Sequence, residues 1–141
     1  MQLTARLQIS RRLRLGWVSF FLTAAVAHAQ PVLRCEVTYA GTTHVIQTTP
    51  TTDPYAVVPV DIAERFLFKV VLSATEKQLD HALIYVYLQQ APRPVLLQQA
   101  KYFGPFKSSK HAYLLTGEQH VYGGPIEREL IYQCWLSGIK P

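Results

Sequence analysis

Apolar and polar residues alternate along the chain from residue 32, and this pattern predicts β-strands. Every second residue of the segment 32–40 is apolar or aromatic: Leu33, Cys35, Val37 and Tyr39. Residues two apart on a strand share a face, so we expect this segment to bury one face and expose the other. Gly41 and Thr42 then permit a tight turn into a second strand over 43–47, which predicts a hairpin.

Several later segments also have strand character: 55–60, 65–73, 83–89, 95–103, 111–115, 119–122 and 126–136. Segments 65–73 and 83–89 are the most apolar and lack clean alternation, which is typical of strands covered on both faces. The stretch 48–54 contains two prolines and is predicted to be a loop. The polar stretch 75–81 predicts either a single helical turn or a wide connection.

These segments together predict an all-β fold. After residue 29, the sequence has no run of 12 residues with helical periodicity. About 7–9 short strands separated by turn signals indicate a single antiparallel β-sandwich or a partly open barrel. We expect one domain over residues 30–141, a length that can bury its own core.

The N-terminal segment has the three parts of a secretory signal peptide. Four arginines precede an apolar run over 15–27, and Ala27 and Ala29 are small residues at the positions that a signal peptidase reads. The apolar run is too short to span a bilayer. We therefore predict a cleaved signal over residues 1–29, leaving a periplasmic or secreted protein without a membrane anchor.

The route of export follows from the same segment. Arg11 and Arg12 partly resemble a twin-arginine signal, but Arg14 stands where that motif usually has an apolar aromatic residue. Consecutive arginines also simply make the segment basic, so we expect the general secretory route.

Charge narrows the classes of partner. The formal charge of the whole chain is +5, but removing the four arginines of the signal leaves ten Lys and Arg against nine Asp and Glu, or +1. Binding to nucleic acid depends on basic patches that displace phosphate counterions, and a near-neutral domain offers none. The same balance gives no support to a polybasic membrane patch.

The two cysteines predict a structural disulfide. Cys35 lies in the first predicted strand and Cys134 in the last, and both remain in an oxidising compartment. They are far apart in sequence, unlike a redox-active Cys-X-X-Cys pair. A bond between them would tie the N- and C-terminal strands together.

Catalytic and metal-binding signals are weak. The sequence contains no nucleophile-elbow motif and no phosphate-binding glycine loop followed by a helix. Glu127 and Glu129 are expected to point to solvent. His111 and His120 are weak metal-ligand candidates if a hairpin near Gly117 brings them together. We expect no cofactor.

Aromatic and apolar side chains provide the candidate binding face. In the last strand, Trp135 and Ile131 lie opposite the face that carries Cys134, so they are expected to point outward. Tyr85 and Tyr87 share one face of a nearly apolar strand, although a place in the core is the commoner outcome for such residues. Phe106 lies in the loop 104–110, which we place at the rim of the Trp135 surface.

These observations predict a non-catalytic binding or assembly module that recognises a protein, peptide or glycan. Two alternatives stay open. One is an enzyme or metal-handling protein whose His and Glu residues converge only in the folded chain. The other is a subunit of an envelope or surface-appendage assembly, for which exposed strand edges and homo-oligomers are expected.

Overall fold

The computed structural model describes residues 30–76 and 78–139. This part of the chain forms ten β-strands: β1 Val32–Tyr39, β2 Thr42–Thr48, β3 Pro50–Thr51, β4 Val60–Ile62, β5 Phe66–Ala74, β6 Leu79–Leu88, β7 Val95–Phe103, β8 Tyr113–Leu114, β9 Gln119–Gly123 and β10 Arg128–Ser137. They form two sheets, which confirms the all-β, sandwich-like fold. The predicted signal peptide lies outside the described residues.

The first sheet, sheet I, contains both terminal strands. Strands β2, β1 and β10 lie side by side in this order. The edge of β10 that faces away from β1 pairs with both β8 and β9. The β1–β2 hairpin is confirmed, and its turn residues Ala40 and Gly41 have φ values of 48° and 80°. Positive φ at both central residues is the backbone of a type I′ turn, which matches the twist of the flanking strands.

In the second sheet, sheet II, β6 lies between β5 and β7, and β7 forms one edge of the sheet. The other edge of β5 pairs with β3 in parallel and with β4 in antiparallel orientation. The register of β6 on β7 shifts between Val86 and Tyr87, which marks a β-bulge. All other strand pairs of the two sheets are antiparallel.

The core fills the space between the inner faces of the two sheets. Phe66, Phe68 and Ile84 of sheet II are buried together with Leu130 and Tyr132 of sheet I. The rings of Phe68 and Tyr132 pack edge to face with centroids 5.2 Å apart. The Tyr132 hydroxyl donates a 2.9 Å hydrogen bond to Gln98 Oε1, so this core phenol is partnered. Burial raises the pKa of Tyr132 far above its ordinary value, and nearby Tyr102 adds to the effect.

The disulfide between Cys35 and Cys134 joins directly opposed residues of β1 and β10. The Cα atoms are 4.0 Å apart, and both side chains are completely buried. The backbone N–H of Cys134 donates to Thr116 Oγ1, and its C=O accepts from Leu115 N, so both groups point away from β1. Cys35 and Cys134 therefore form a non-hydrogen-bonded pair, in which opposed Cα atoms come closest.

The structure differs from the predicted elements in the segment between β2 and β5. The stretch predicted to be a loop includes β3, whose Pro50 is tolerated because β3 lies at the edge of sheet II. The strand predicted over 55–60 is wrong except for Val60, because β4 covers Val60–Ile62. The connection after β5 is also shorter than predicted, since β6 begins at Leu79. The two-residue strand β3, which falls in a segment predicted to be a loop, brings the number of described strands to ten, above the predicted seven to nine.

Within the described residues, no helix is long and apolar enough to cross a membrane.

Candidate functional site

Trp135 lies on the outer face of sheet I because its neighbours on β10 face the core. Cys134 and Leu136 are completely buried, and Trp135 between them is half-buried. The β1–β10 register places Arg34 directly opposite Trp135, and β8 places Leu114 on its other side. Leu114 is 50% exposed. An aromatic ring therefore stands between a guanidinium group and an exposed aliphatic side chain.

Arg34 is held over the Trp135 ring. Its guanidinium carbon is 5.8 Å from the ring centroid, within the range of a cation–π interaction. Its Nη2 also lies 2.7 Å from Glu36 Oε1, two residues along the same face of β1. The contact with Glu36 restrains Arg34, and Arg34 in turn restrains one side of the indole.

A shallow depression lies next to Trp135 on the same face of sheet I. It is lined by Glu36, Thr38, Glu118, Ile131, Tyr132 and Gln133. Gln133 Nε2 donates a 3.2 Å hydrogen bond to Glu118 Oε2, which positions this carboxylate over the strand face. The depression thus has an apolar and amide floor, with carboxylates of Glu36 and Glu118 in its lining. We refer to the surface formed by Arg34, Glu36, Leu114, Glu118, Ile131, Gln133 and Trp135 as the Trp135 face.

A cluster of polar side chains borders the Trp135 face where β9 pairs with β10. His120 Nδ1 is 2.6 Å from Glu129 Oε1, and His120 Nε2 is 3.1 Å from Glu118 Oε1. Hydrogen bonds to Glu129 and, secondly, to Glu118 raise the pKa of His120. With a carboxylate at each ring nitrogen, the doubly protonated imidazolium is favoured, because both nitrogens then donate.

Glu129 is shared between two donors. The Tyr122 hydroxyl donates a 2.6 Å hydrogen bond to the same Glu129 oxygen that contacts His120. These hydrogen bonds, from Tyr122 first and His120 second, lower the pKa of Glu129, while the bond to Glu129 raises the pKa of Tyr122. Glu129 is exposed, as predicted, and Glu127 is also exposed but lies in the turn before β10. The carboxylate remains ionised and adds negative charge beside the Trp135 face.

The structure divides the predicted aromatic residues between the two sheets. Trp135 and Ile131 lie on the outer face of sheet I, whereas Tyr85 and Tyr87 lie on the outer face of sheet II, where they alternate with the buried residues Ile84 and Val86. The two tyrosine rings are stacked, with centroids 6.1 Å apart and an interplanar angle of 17°. The two pairs therefore face away from each other and cannot contact a single small ligand together.

Phe106 packs partly buried against the core. The loop that contains it is joined to the end of the described chain by reciprocal backbone hydrogen bonds between Ser109 and Ile139, of 3.0 and 3.1 Å. Ile139 follows β10 by two residues. The loop thus lies near the end of β10 that carries Trp135, while its phenyl ring serves packing.

His111 and His120 do not meet across a hairpin. The strands β8 and β9 both pair with β10 and follow one another along its edge, so neither pairs with the other. His111 is exposed, and its carbonyl accepts a 2.7 Å hydrogen bond from Ser109 Oγ. Among the described residues, no group of three or more His, Cys, Asp or Glu side chains has the arrangement of a metal site.

The chain has no significant match to known protein families, to curated proteins or to solved structures. Its class therefore follows from the fold and the surface alone, as a disulfide-tied β-sandwich with an aromatic and acidic outer face.

Sequence reasoning missed Arg34, Glu36 and Glu118 as members of this surface. Alternation along β1 places Arg34 and Glu36 outward, but their position beside Trp135 depends on the β1–β10 register. Glu118 lies in the loop between β8 and β9, where no periodicity orients a side chain. The disulfide is the one signal that could have found the first two, because directly opposed cysteines place Arg34 opposite Trp135.

Proposed function

We propose that this chain is a non-catalytic binding domain of a periplasmic or secreted protein, and that the Trp135 face is its recognition surface. The observation that supports this proposal most strongly is the half-buried indole beside a depression lined by carboxylates. Trp is enriched at binding hot spots because it contributes a large, rigid contact area at low entropic cost. Because Trp135 points outward, its side chain does not contribute to the core between the two sheets.

The charges of this face favour a basic partner. Glu36 and Glu118 on this face and Glu129 at its border provide three carboxylates, which outnumber the two cations paired with them, Arg34 and the imidazolium of His120. A lysine or arginine of a partner could lay its aliphatic stem over Ile131 and bring its charged group between Glu36 and Glu118. Apolar side chains of the same partner could pack on Trp135 and Leu114. We therefore propose that the ligand is a protein segment in which basic and apolar residues alternate.

Indole fluorescence tests this proposal directly. Of the two tryptophans in the sequence, Trp17 lies in the predicted signal, so Trp135 is expected to be the reporter indole of the processed protein. We expect a short extended peptide that alternates valine with lysine to change the Trp135 emission saturably. A matched peptide with glutamate in place of lysine should have no effect, because its carboxylates meet Glu36 and Glu118.

Paired variants locate the effect. The double variant Glu36→Gln with Glu118→Gln should weaken binding of the lysine peptide about tenfold or more, since two carboxylates near a bound charge are removed. Glu64→Gln, on an exposed turn before β5, is the control and should bind like the parent protein. Equal binding of both peptides, or no loss in the double variant, would contradict the proposal. The mass of the exported protein, expected to begin at Gln30, tests the export part separately.

A further inference from the structure

The free edge of β2 lacks the features that usually protect an edge strand. This strand is seven residues long and contains no Lys, Arg, Asp, Glu or Pro, and its pairing with β1 has no bulge. Natural edge strands are usually blunted by a charge, a proline, a bulge or short length. An unblunted edge is a template for the addition of another strand.

The other edges of the described chain are protected. On β7, Lys101 supplies a charge, and the β-bulge distorts its pairing with β6. The edge strands β3, β4 and β8 have only two or three residues. The remaining edge strand, β9, lies against sheet II, where Gly123 approaches Leu97 of β7. Among all the edge strands of the described chain, β2 is therefore the one that is both long and unprotected.

The β1–β10 register, in which Cys35 lies opposite Cys134, determines which backbone groups of β2 point to its free edge. Because Cys35 and Cys134 form a non-hydrogen-bonded pair, Cys35 directs its N–H and C=O toward Ile46 of β2. The pattern alternates along the strand, so Thr43, Val45 and Gln47 direct theirs away from β1. In the described part of the chain, the backbone hydrogen bonds formed outside the sheet ladders do not involve β2.

We propose that β2 pairs in antiparallel orientation with β2 of a second copy of this chain, with the two Val45 residues opposite each other. Thr43 of each copy then lies opposite Gln47 of the other. Thr43, Val45 and Gln47 each direct their backbone N–H and C=O groups toward the second copy, which gives about six hydrogen bonds across the interface. Sheet I becomes one continuous sheet through a two-fold axis, the commonest symmetry of homodimers.

Side-chain chemistry supports this register. Val45 is 54% exposed in the single chain, and the pairing covers it with the second Val45, a favourable β-branched contact. Glu36 lies opposite Val45 on β1, so the two Glu36 residues of the dimer are separated by three strand spacings, or about 14 Å. That distance exceeds a Debye length at physiological salt, so their repulsion is screened. This dimer is independent of the ligand proposed above.

Sedimentation of purified protein tests the dimer. The parent protein should form a dimer, whereas Val45→Lys and Val45→Glu should each weaken association about tenfold or more, because like charges face each other at the two-fold axis. An equimolar mixture of the two variants should form a heterodimer through a Lys–Glu pair. Val45→Thr, which keeps the β-branched shape, should still dimerise.

The control variant is Gln99→Lys, which places the same charge on the β7 edge and should leave the dimer intact. Circular dichroism of each variant establishes that it is folded. A parent protein that remains monomeric into the millimolar range would overturn the proposal. Loss of the dimer in Gln99→Lys, or failure of the mixed variants to associate, would also overturn it, because either result places the contact elsewhere.

Discussion

Cys35 and Cys134 face each other across adjacent antiparallel strands, and this pairing sets the register of the outer face as well as the core. The same alignment that brings the two sulfur atoms together places Arg34 opposite Trp135 and Glu36 opposite Gln133. A slip of one residue would turn every side chain of β10 to the other face. The disulfide therefore stabilises the fold and fixes the proposed recognition surface.

Removal of this disulfide should lower stability without changing the fold. The bond closes a loop with a sequence separation of 99, for which the chain-entropy relation gives an upper value of about 4.7 kcal/mol. Cys35→Ser with Cys134→Ser is expected to lower the melting temperature by roughly 10 °C or more, with an unchanged far-ultraviolet spectrum. Calorimetry measures the difference. An unchanged midpoint would show that the bond contributes nothing.

Neighbouring residues of β10 should respond differently to truncation. Leu136 is completely buried, so Leu136→Ala should lower the free energy of unfolding by about 2–5 kcal/mol. Trp135 is only half-buried on the outer face, so Trp135→Ala should cost clearly less despite the larger side chain. Denaturant unfolding compares the two. If Trp135→Ala lowers the free energy of unfolding more than Leu136→Ala does, the indole belongs to the structural core. The proposal that the Trp135 face is a recognition surface would then be wrong.

His120 should lose its proton at a higher pH than an ordinary histidine does. Hydrogen bonds to Glu129 and Glu118 raise the pKa of His120, so folding favours the protonated imidazole. The resulting contribution to stability is present below the unfolded pKa of about 6.5 and is lost as the pH rises through the folded pKa. NMR titration of the imidazole should give a midpoint above the ordinary value for histidine.

A matched pair of variants assigns the cause of this shift. Glu129→Gln should lower the His120 midpoint, because it removes the carboxylate with the largest effect. Glu127→Gln is two residues away and makes no hydrogen bond to His120 among the described contacts, so its midpoint should stay near that of the parent. Equal midpoints in all three proteins would show that these contacts do not control the titration.

Metal analysis separates the binding domain from the metal-handling alternative. We expect purified, processed protein to contain transition metal at well below one equivalent per chain, since β8 and β9 hold His111 and His120 apart. Elemental analysis after exposure to zinc and copper, followed by desalting, provides the measurement. Near-stoichiometric retention of either metal would favour the alternative.

Much of the fold could be predicted because period-two alternation depends on local sequence. The bounds of β7 match the predicted segment 95–103, and the inward face of β10 matches the predicted set that includes Cys134 and Leu136. The cysteine positions also predicted that β1 and β10 are neighbours. Each of these inferences used either alternation or one covalent constraint.

The remaining features depend on tertiary contacts that alternation does not encode. The edge strand β3 contains Pro50 and has two residues, so only its contact with Leu72 and Ser73 of β5 identifies it. The assignment of strands to sheets was also beyond the sequence. For this reason the separation of Tyr85 and Tyr87 from Trp135 could not be predicted, although each was placed on the correct strand.

Mapping of amide chemical shifts tests whether the Trp135 face binds a basic protein segment. We expect the valine–lysine peptide to shift the backbone amides of Arg34, Glu36, Gln133 and Trp135, with little change at Tyr85 and Tyr87 on sheet II. Shifts concentrated on the outer face of sheet II, or equal shifts with the glutamate peptide, would show that the Trp135 face is not a recognition surface for a basic segment.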